Sequence, residues 1–136
     1  MTIKKVRIFK NKIIKNKKGN LIKFVSTKNL FFKKFGEIYF NEINFKKQKG
    51  WNKHLKNNCL IQCVYGKVKF HLIDKLSKEK KYILKCGSGS ILRIPPNVWF
   101  SFRSLEKKSI IANMIESPHR DLEVIKSNKI KNYLIG

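Results

Sequence analysis

The sequence predicts an all-β fold, a sandwich or barrel of short strands. Three observations carry that expectation. Apolar runs rich in Ile, Val, Phe and Tyr recur at about one per 8 to 12 residues, the spacing of β-sandwiches and barrels. Segments such as GKVKFHLID alternate apolar and polar side chains with the period of a strand. No stretch holds a helical stripe for more than two turns. At 136 residues the chain is long enough for one domain with a real core, and seven glycines and three prolines are too few for a disordered composition.

In order along the chain, VRIF (6–9), KIIK (12–15) and LIKFVS (21–26) read as N-terminal strands, with KKGN (17–20) as a hairpin turn. GEIYFNEINF (36–45), CLIQCVYG (59–66) and KVKFHLID (67–74) follow. In the last of these, Val68, Phe70 and Leu72 fall on one face and Lys67, Lys69 and His71 on the other, so His71 is expected to be exposed. KYILK (81–85), SILRI (90–94), VWFSFRS (98–104) and SIIANMIE (109–116) complete the set. CGSGS (86–90) gives a flexible reversal. In IPPNVW (94–99) two prolines fix φ before Asn97, a residue type that tolerates the left-handed region. Residues 120–128 are expected to form one short helix.

The net charge of +24 admits two readings. Clustered cations release counterions from nucleic acid, so a basic nucleic-acid-binding β-domain is one. Yet 28 of the 32 basic residues are Lys, spread along the chain, and Ile and Asn are abundant too. A nucleic-acid reader leans on the planar fork of Arg, so compositional drift explains the charge better. The same field would draw in a small anion such as a nucleotide diphosphate. Cys59, Cys63 and Cys86 form no CxxC pair and read as reduced thiols in a cytoplasmic setting. No signal-peptide pattern and no membrane-length apolar run is present.

Two punctuation points carry a family resemblance. Gly89, five residues, Pro95-Pro96-Asn97, two residues and Phe100 match the spacing of the second cupin motif, G-x5-P-x-G-x2-H. Asn52-Lys53-His54, four residues, Cys59, six residues and Gly66 match the spacing of the first, H-x-H-x(3,4)-E-x6-G. Of the four metal-ligand positions only His54 is kept, with a thiol at Cys59. A cupin metal needs about three imidazoles and a carboxylate, so no catalytic metal and no cofactor are expected. The elements G-E-x-Y, K-G-W-x-x-H, I-P-P-x-x-W and P-H-x-x-x-E, in that order over residues 19–126, resemble the metal-free sugar-nucleotide cupins. These are the dTDP-4-keto-6-deoxyhexose 3,5-epimerases and the shorter 3,4-ketoisomerases. The resemblance implies a double-stranded β-helix, or jelly-roll barrel, over residues 36–126, within a single domain of residues 1–136. It implies a homodimer with the strands of residues 1–35 available for exchange between subunits.

It also implies a nucleotide-linked 4-keto sugar as substrate, in surface polysaccharide synthesis. Such chemistry needs a base beside the carbonyl, a group that stabilises the enolate oxygen and an acid that returns the proton. The family base is a His of the H-x-H pair; here the first position is Asn52, which takes up no proton at neutral pH. His54 and Asn52, two apart on a strand, share a face and become base and enolate-stabilising candidates. The family's late-strand Tyr acid has no counterpart between Tyr82 and Tyr133. Arg93 is the expected pyrophosphate clamp. Trp51 and Trp99 are candidates for stacking, Lys56 for charge, Glu37 and Tyr39 for the cavity mouth and His119 for substrate contact. Phe100 is expected to fill the cavity. A non-catalytic cupin that binds a sugar nucleotide or a partner remains the second reading, favoured by Asn52 and Phe100.

Overall fold

The computed structural model describes residues 2–118, 120 and 123–127. After a short 3-10 turn at Thr2–Lys5 come ten strands: β1 (Arg7–Lys10), β2 (Glu37–Asn44), β3 (Gln48–His54), β4 (Cys59–Tyr65), β5 (Lys67–Ile73), β6 (Glu79–Lys85), β7 (Ser90–Ile94), β8 (Trp99–Ser104), β9 (Lys108–Ile115) and β10 (Val124–Lys126). They form two five-stranded sheets, ordered β1-β7-β4-β9-β2 and β10-β3-β8-β5-β6. Every paired strand is antiparallel. The all-β expectation holds, and the two facing sheets make the jelly roll of the cupin fold.

The core lies between the sheets. Ile61, Leu92, Ile94, Ile111 and Ile115 of the first sheet meet Val68, Phe70, Leu72, Leu84, Phe100 and Phe102 of the second, all buried. Strand alternation accounts for this: residues two apart share the inner face, so each strand contributes every second side chain. Val68, Phe70 and Leu72 point inward as expected. Cys59 and Cys63 are buried free thiols and Cys86 is half-buried. Burial pushes the Cys59 thiol up to about 12 and the Cys63 thiol up to about 11, which keeps both protonated.

The N-terminal region differs from expectation. β1 forms and pairs with β7 of the same chain. KIIK and LIKFVS make no strands; only an isolated bridge, Ile14 to Leu21, spans the KKGN turn. The apolar side chains there are used differently. Phe24, Val25, Phe31 and Phe32 lie over Leu60, Ile91 and Met114 on the outer face of the first sheet. Side chains, not a ladder, hold that backbone: Asn11 Nδ2 donates to the Lys23 and Phe24 carbonyls and Gln62 Nε2 donates to the Lys23 carbonyl. In the stretch 120–128, expected to be helical, Val124–Lys126 instead form β10 against Asn52–His54. A three-residue strand carries too little periodicity to be read from sequence.

Two turns fix geometry that matters for the site. Asn97 adopts φ 68°, and its amide donates to the His54 carbonyl at 2.8 Å, tying the end of β3 to the Pro95-Pro96 turn. Gly66, between β4 and β5, sits at φ 80°, and a Cβ there would lie 2.4 Å from Ser109 Oγ and 2.6 Å from the Lys108 carbonyl oxygen. Gly66→Ala therefore meets both a left-handed backbone and a backbone clash, and is expected to cost at least about 2 kcal/mol in urea unfolding. No described helix is long and apolar enough to cross a membrane.

Candidate active site

A cavity of about 680 Å³ opens between the sheets. Its walls come from the inward positions of β2 (Glu37, Tyr39, Asn41), β3 (Gln48, Asn52, His54), β8 (Phe100, Phe102) and β9 (Ile111, Asn113), with Ile61 and the β10 residues Val124 and Lys126. The floor is apolar and the rim carries Lys49 and Lys126, a layout suited to an anionic ligand with a compact polar head.

His54 is buried and stacks almost parallel on Phe100, with ring centroids 6.0 Å apart and planes at 6°. Its Nδ1 lies 2.6 Å from Glu123 Oε1. The Glu123 carboxylate is itself held closely. Oε2 accepts from the backbone amides of Leu55 (2.7 Å), Lys56 (3.0 Å) and Asn57 (3.3 Å), and Oε1 accepts from Asn57 Nδ2 at 2.9 Å. Burial alone would raise the carboxyl's pKa. The Lys56 amide, His54 and Asn57 outweigh burial and bring it down to about 2. Glu123 is therefore ionised across the physiological range and can only accept. Nδ1 of His54 must donate to it, which leaves Nε2 as the ring nitrogen available for proton transfer in the cavity.

Asn52 lies two residues before His54 and shares the cavity face. Facing them from the other sheet is Tyr39, whose hydroxyl accepts a hydrogen bond from Asn113 Nδ2 at 3.0 Å. Burial drives the Tyr39 phenol well above its ordinary value, and the nearby Cys59 adds to the rise. It is thus a protonated donor at any working pH. The late strands supply no Tyr, but a phenol does face the cavity from the early strand β2. Glu37 and Asn41 flank it on the same strand face.

Several expected site residues lie elsewhere. Arg93 alternates with the core residues Leu92 and Ile94, so it faces the outer side of its sheet. There its guanidinium sits 5.6 Å from the Phe9 ring centroid and Nη2 donates to the Lys5 carbonyl. It is no clamp in this cavity. Trp51 borders the cavity, but its position between the inward Asn52 and Gly50 turns the ring outward, edge-on to His71 at 5.3 Å. Trp99 likewise precedes the inward Phe100, lies under the Lys53 ammonium, 4.9 Å from its ring centroid, and does not line the cavity. The Lys56 side chain lines a separate hollow with Lys33, Lys34, Asn57 and Glu116. His119 lies outside the described residues. His71, expected to be exposed, is buried: Trp51 covers it and its Nε2 pairs with Glu79 at 2.5 Å. Phe100 fills the cavity wall as expected.

Glu123 and Asn113 were not among the sequence candidates. Glu123 is the last residue of the P-H-x-x-x-E element, and that was the available signal. Nothing in the local sequence marks Asn113, one polar residue in an apolar strand. Among the described residues, no three His, Cys, Asp or Glu side chains converge on a common point.

The profile of the FdtA, WxcM-like C-terminal family matches residues 4–133. The chain belongs to that family. No curated protein matches it by sequence. Among solved structures, a dTDP sugar isomerase from Desulfovibrio desulfuricans superposes with a TM-score of 0.87 at 24% identity, covering 95% of this chain and 87% of that one. A mutant of the 3,4-ketoisomerase from Thermoanaerobacterium thermosaccharolyticum with Asn in place of a His, in complex with TDP-4-keto-6-deoxyglucose, gives 0.80 at 21%, covering 92% and 89%. A dTDP-4-dehydrorhamnose 3,5-epimerase from Bacillus anthracis with TDP and pyrophosphate bound gives 0.82 at 14%, covering 93% and 80%. At these identities the likeness establishes the shared fold.

Proposed function

We propose that this family member is a metal-independent keto-isomerase of a nucleotide-linked 4-keto sugar, with surface polysaccharide synthesis as its setting. The observation that carries the reading is the His54–Glu123 pair, an imidazole with its Nδ1 proton fixed by a carboxylate and its other nitrogen in a cavity of about 680 Å³. The substrate class is that of the structures sharing the fold, several of which hold TDP or a TDP-sugar.

The chemistry follows from two groups on opposite walls. Nε2 of His54 removes the proton from carbon 3 of the sugar, while the Tyr39 hydroxyl gives its proton to the carbonyl oxygen on carbon 4. The result is an enediol, with the electron pair of the broken C–H bond now in the carbon 3–carbon 4 double bond. His54 then returns its proton to carbon 4, and the Tyr39 phenolate takes the proton from the oxygen on carbon 3, leaving a ketone there. The proton on carbon and the proton on oxygen each move to the neighbouring atom, and no redox partner is needed. Asn52 donates its amide N–H to the developing oxyanion, and Lys49 and Lys126 attract the diphosphate.

One base serves both carbons, which favours keto-isomerisation over 3,5-epimerisation, where protons must return to opposite faces. The test is conversion of TDP-4-keto-6-deoxyglucose to its 3-keto isomer, followed by proton NMR. Accumulation of the isomer supports the reading; an unchanged sugar spectrum at high protein concentration refutes it. Tyr39→Phe is expected to lower kcat by about 10² with little change in KM, because it removes a proton donor and no ground-state contact with the nucleotide.

The reading includes a cytoplasmic homodimer. Ile38 and Phe40, 43% and 64% exposed on the outward side of the edge strand β2, are apolar side chains such a dimer would cover. Sedimentation equilibrium giving a mass of one chain at micromolar concentration would refute the dimer.

A further inference from the structure

Asn113 is buried at 3% exposure in the middle of β9, between the core residues Ile111 and Ile115. A polar amide at such a position is costly unless all its groups are paired. Its Nδ2 is accounted for: it donates to Tyr39 Oη at 3.0 Å. Its Oδ1 is buried and has no partner among the described residues. That oxygen belongs to a residue lining the cavity. A buried acceptor with no protein donor is a group waiting for a donor from a ligand.

We infer that Asn113 is a positioning and specificity residue: Nδ2 orients the Tyr39 hydroxyl and Oδ1 accepts a hydrogen bond from a hydroxyl of the bound hexose. The inference rests on the sugar-nucleotide reading above and deepens it. The first half follows from donor bookkeeping. Tyr39 oxygen already accepts from Asn113, so the phenol's own hydrogen is free to point away from β9, toward the substrate. The second half follows from the asymmetry of buried hydrogen bonds. A site holding an unpaired acceptor binds a ligand hydroxyl and rejects a ligand that offers only carbon there, because the acceptor would then stay dry and unpaired. A nucleotide diphosphate without the sugar makes no use of Asn113.

Calorimetric titration with TDP and with TDP-4-keto-6-deoxyglucose tests this, with turnover measured in parallel. In the parent protein the sugar is expected to tighten binding over TDP alone. Asn113→Val is expected to leave TDP affinity unchanged and to lose at least about tenfold of the sugar's gain. Asn113→Asp keeps an acceptor oxygen but takes the Tyr39 proton for itself. It is expected to retain the sugar's gain while turnover falls at least about tenfold. The inference is overturned if Asn113→Val, folded by circular dichroism, keeps both the sugar's gain and full turnover, or if Asn113→Asp loses the gain. If the parent protein itself gains nothing from the sugar, the sugar-nucleotide reading fails, and that outcome is distinct because it appears before any substitution is made.

Discussion

His54→Asn is expected to leave a folded protein that binds TDP normally and turns over a 4-keto sugar nucleotide about 10² to 10⁴ times more slowly. The substitution removes the free imidazole nitrogen; of the other cavity side chains, Asn52 and Asn113 are amides, Tyr39 is a phenol held protonated by burial, and the carboxylate of Glu37 is tested in parallel by Glu37→Gln. Glu37 and Glu123 are the carboxylates nearby, and Glu123 is committed to His54 and to four other donors. Stability is expected to fall as well, because Glu123 loses its buried partner, so activity is to be read at a temperature where circular dichroism confirms the fold. An unchanged turnover would move the base elsewhere. Asn52→Ala, by contrast, is expected to cost only about tenfold, since it removes one hydrogen-bond donor to the oxyanion and leaves the proton relay intact.

Glu123→Gln is expected to have the second-largest effect, on both stability and rate. The carboxylate accepts five hydrogen bonds, three from successive backbone amides at the end of β3. An amide group in its place turns an N–H against at least one of those donors and no longer enforces the Nδ1 proton on His54. Breaking such a buried arrangement costs about 3–5 kcal/mol, and the disordered tautomer lowers kcat by about 10². The pH dependence carries the signature. Glu123's folded pKa, about 2, is depressed below the ordinary carboxylate value. Its contribution is therefore fully present above about pH 4.5 and lost as pH falls toward 2, an amount of roughly 3 kcal/mol. Urea unfolding of the parent protein at pH 6 and pH 3 should show about 2 kcal/mol of that loss, since pH 3 still lies above the folded pKa, and Glu123→Gln should show much less. Equal acid sensitivity in both proteins would mean that other carboxylates carry it.

The barrel was legible because its signal is periodic. Val68, Phe70 and Leu72 alternate cleanly, and Pro95-Pro96-Asn97 announces its own turn, with Asn97 in the left-handed region as expected. His54 was legible because the resemblance fixed its place. What failed was whatever depends on the third dimension. Arg93 sits one residue out of phase with the inward Leu92 and Ile94, and its flanking isoleucines, Ile91 and Ile94, gave no phase by themselves. His71 was assigned correctly to the outer face of β5, but an outer face is exposed only if nothing covers it, and here Trp51 does. The N-terminal runs were correctly apolar and wrongly strands, since Phe24, Phe31 and Phe32 bury against a sheet face without pairing with it. Glu123 reaches His54 across 69 residues of sequence. No local pattern reports a contact of that range.

In the proposed reaction His54 alone moves a proton on and off sugar carbon without a metal. Its most direct test is the NMR spectrum of TDP-4-keto-6-deoxyglucose incubated in D2O with protein dialysed against a chelator. Deuterium is expected at carbon 3 of the 4-keto sugar and at carbon 4 of its 3-keto isomer, abolished by His54→Asn and unaffected by the chelator. Absence of exchange in the parent protein, or exchange that persists in His54→Asn or returns only with an added divalent cation, would contradict it.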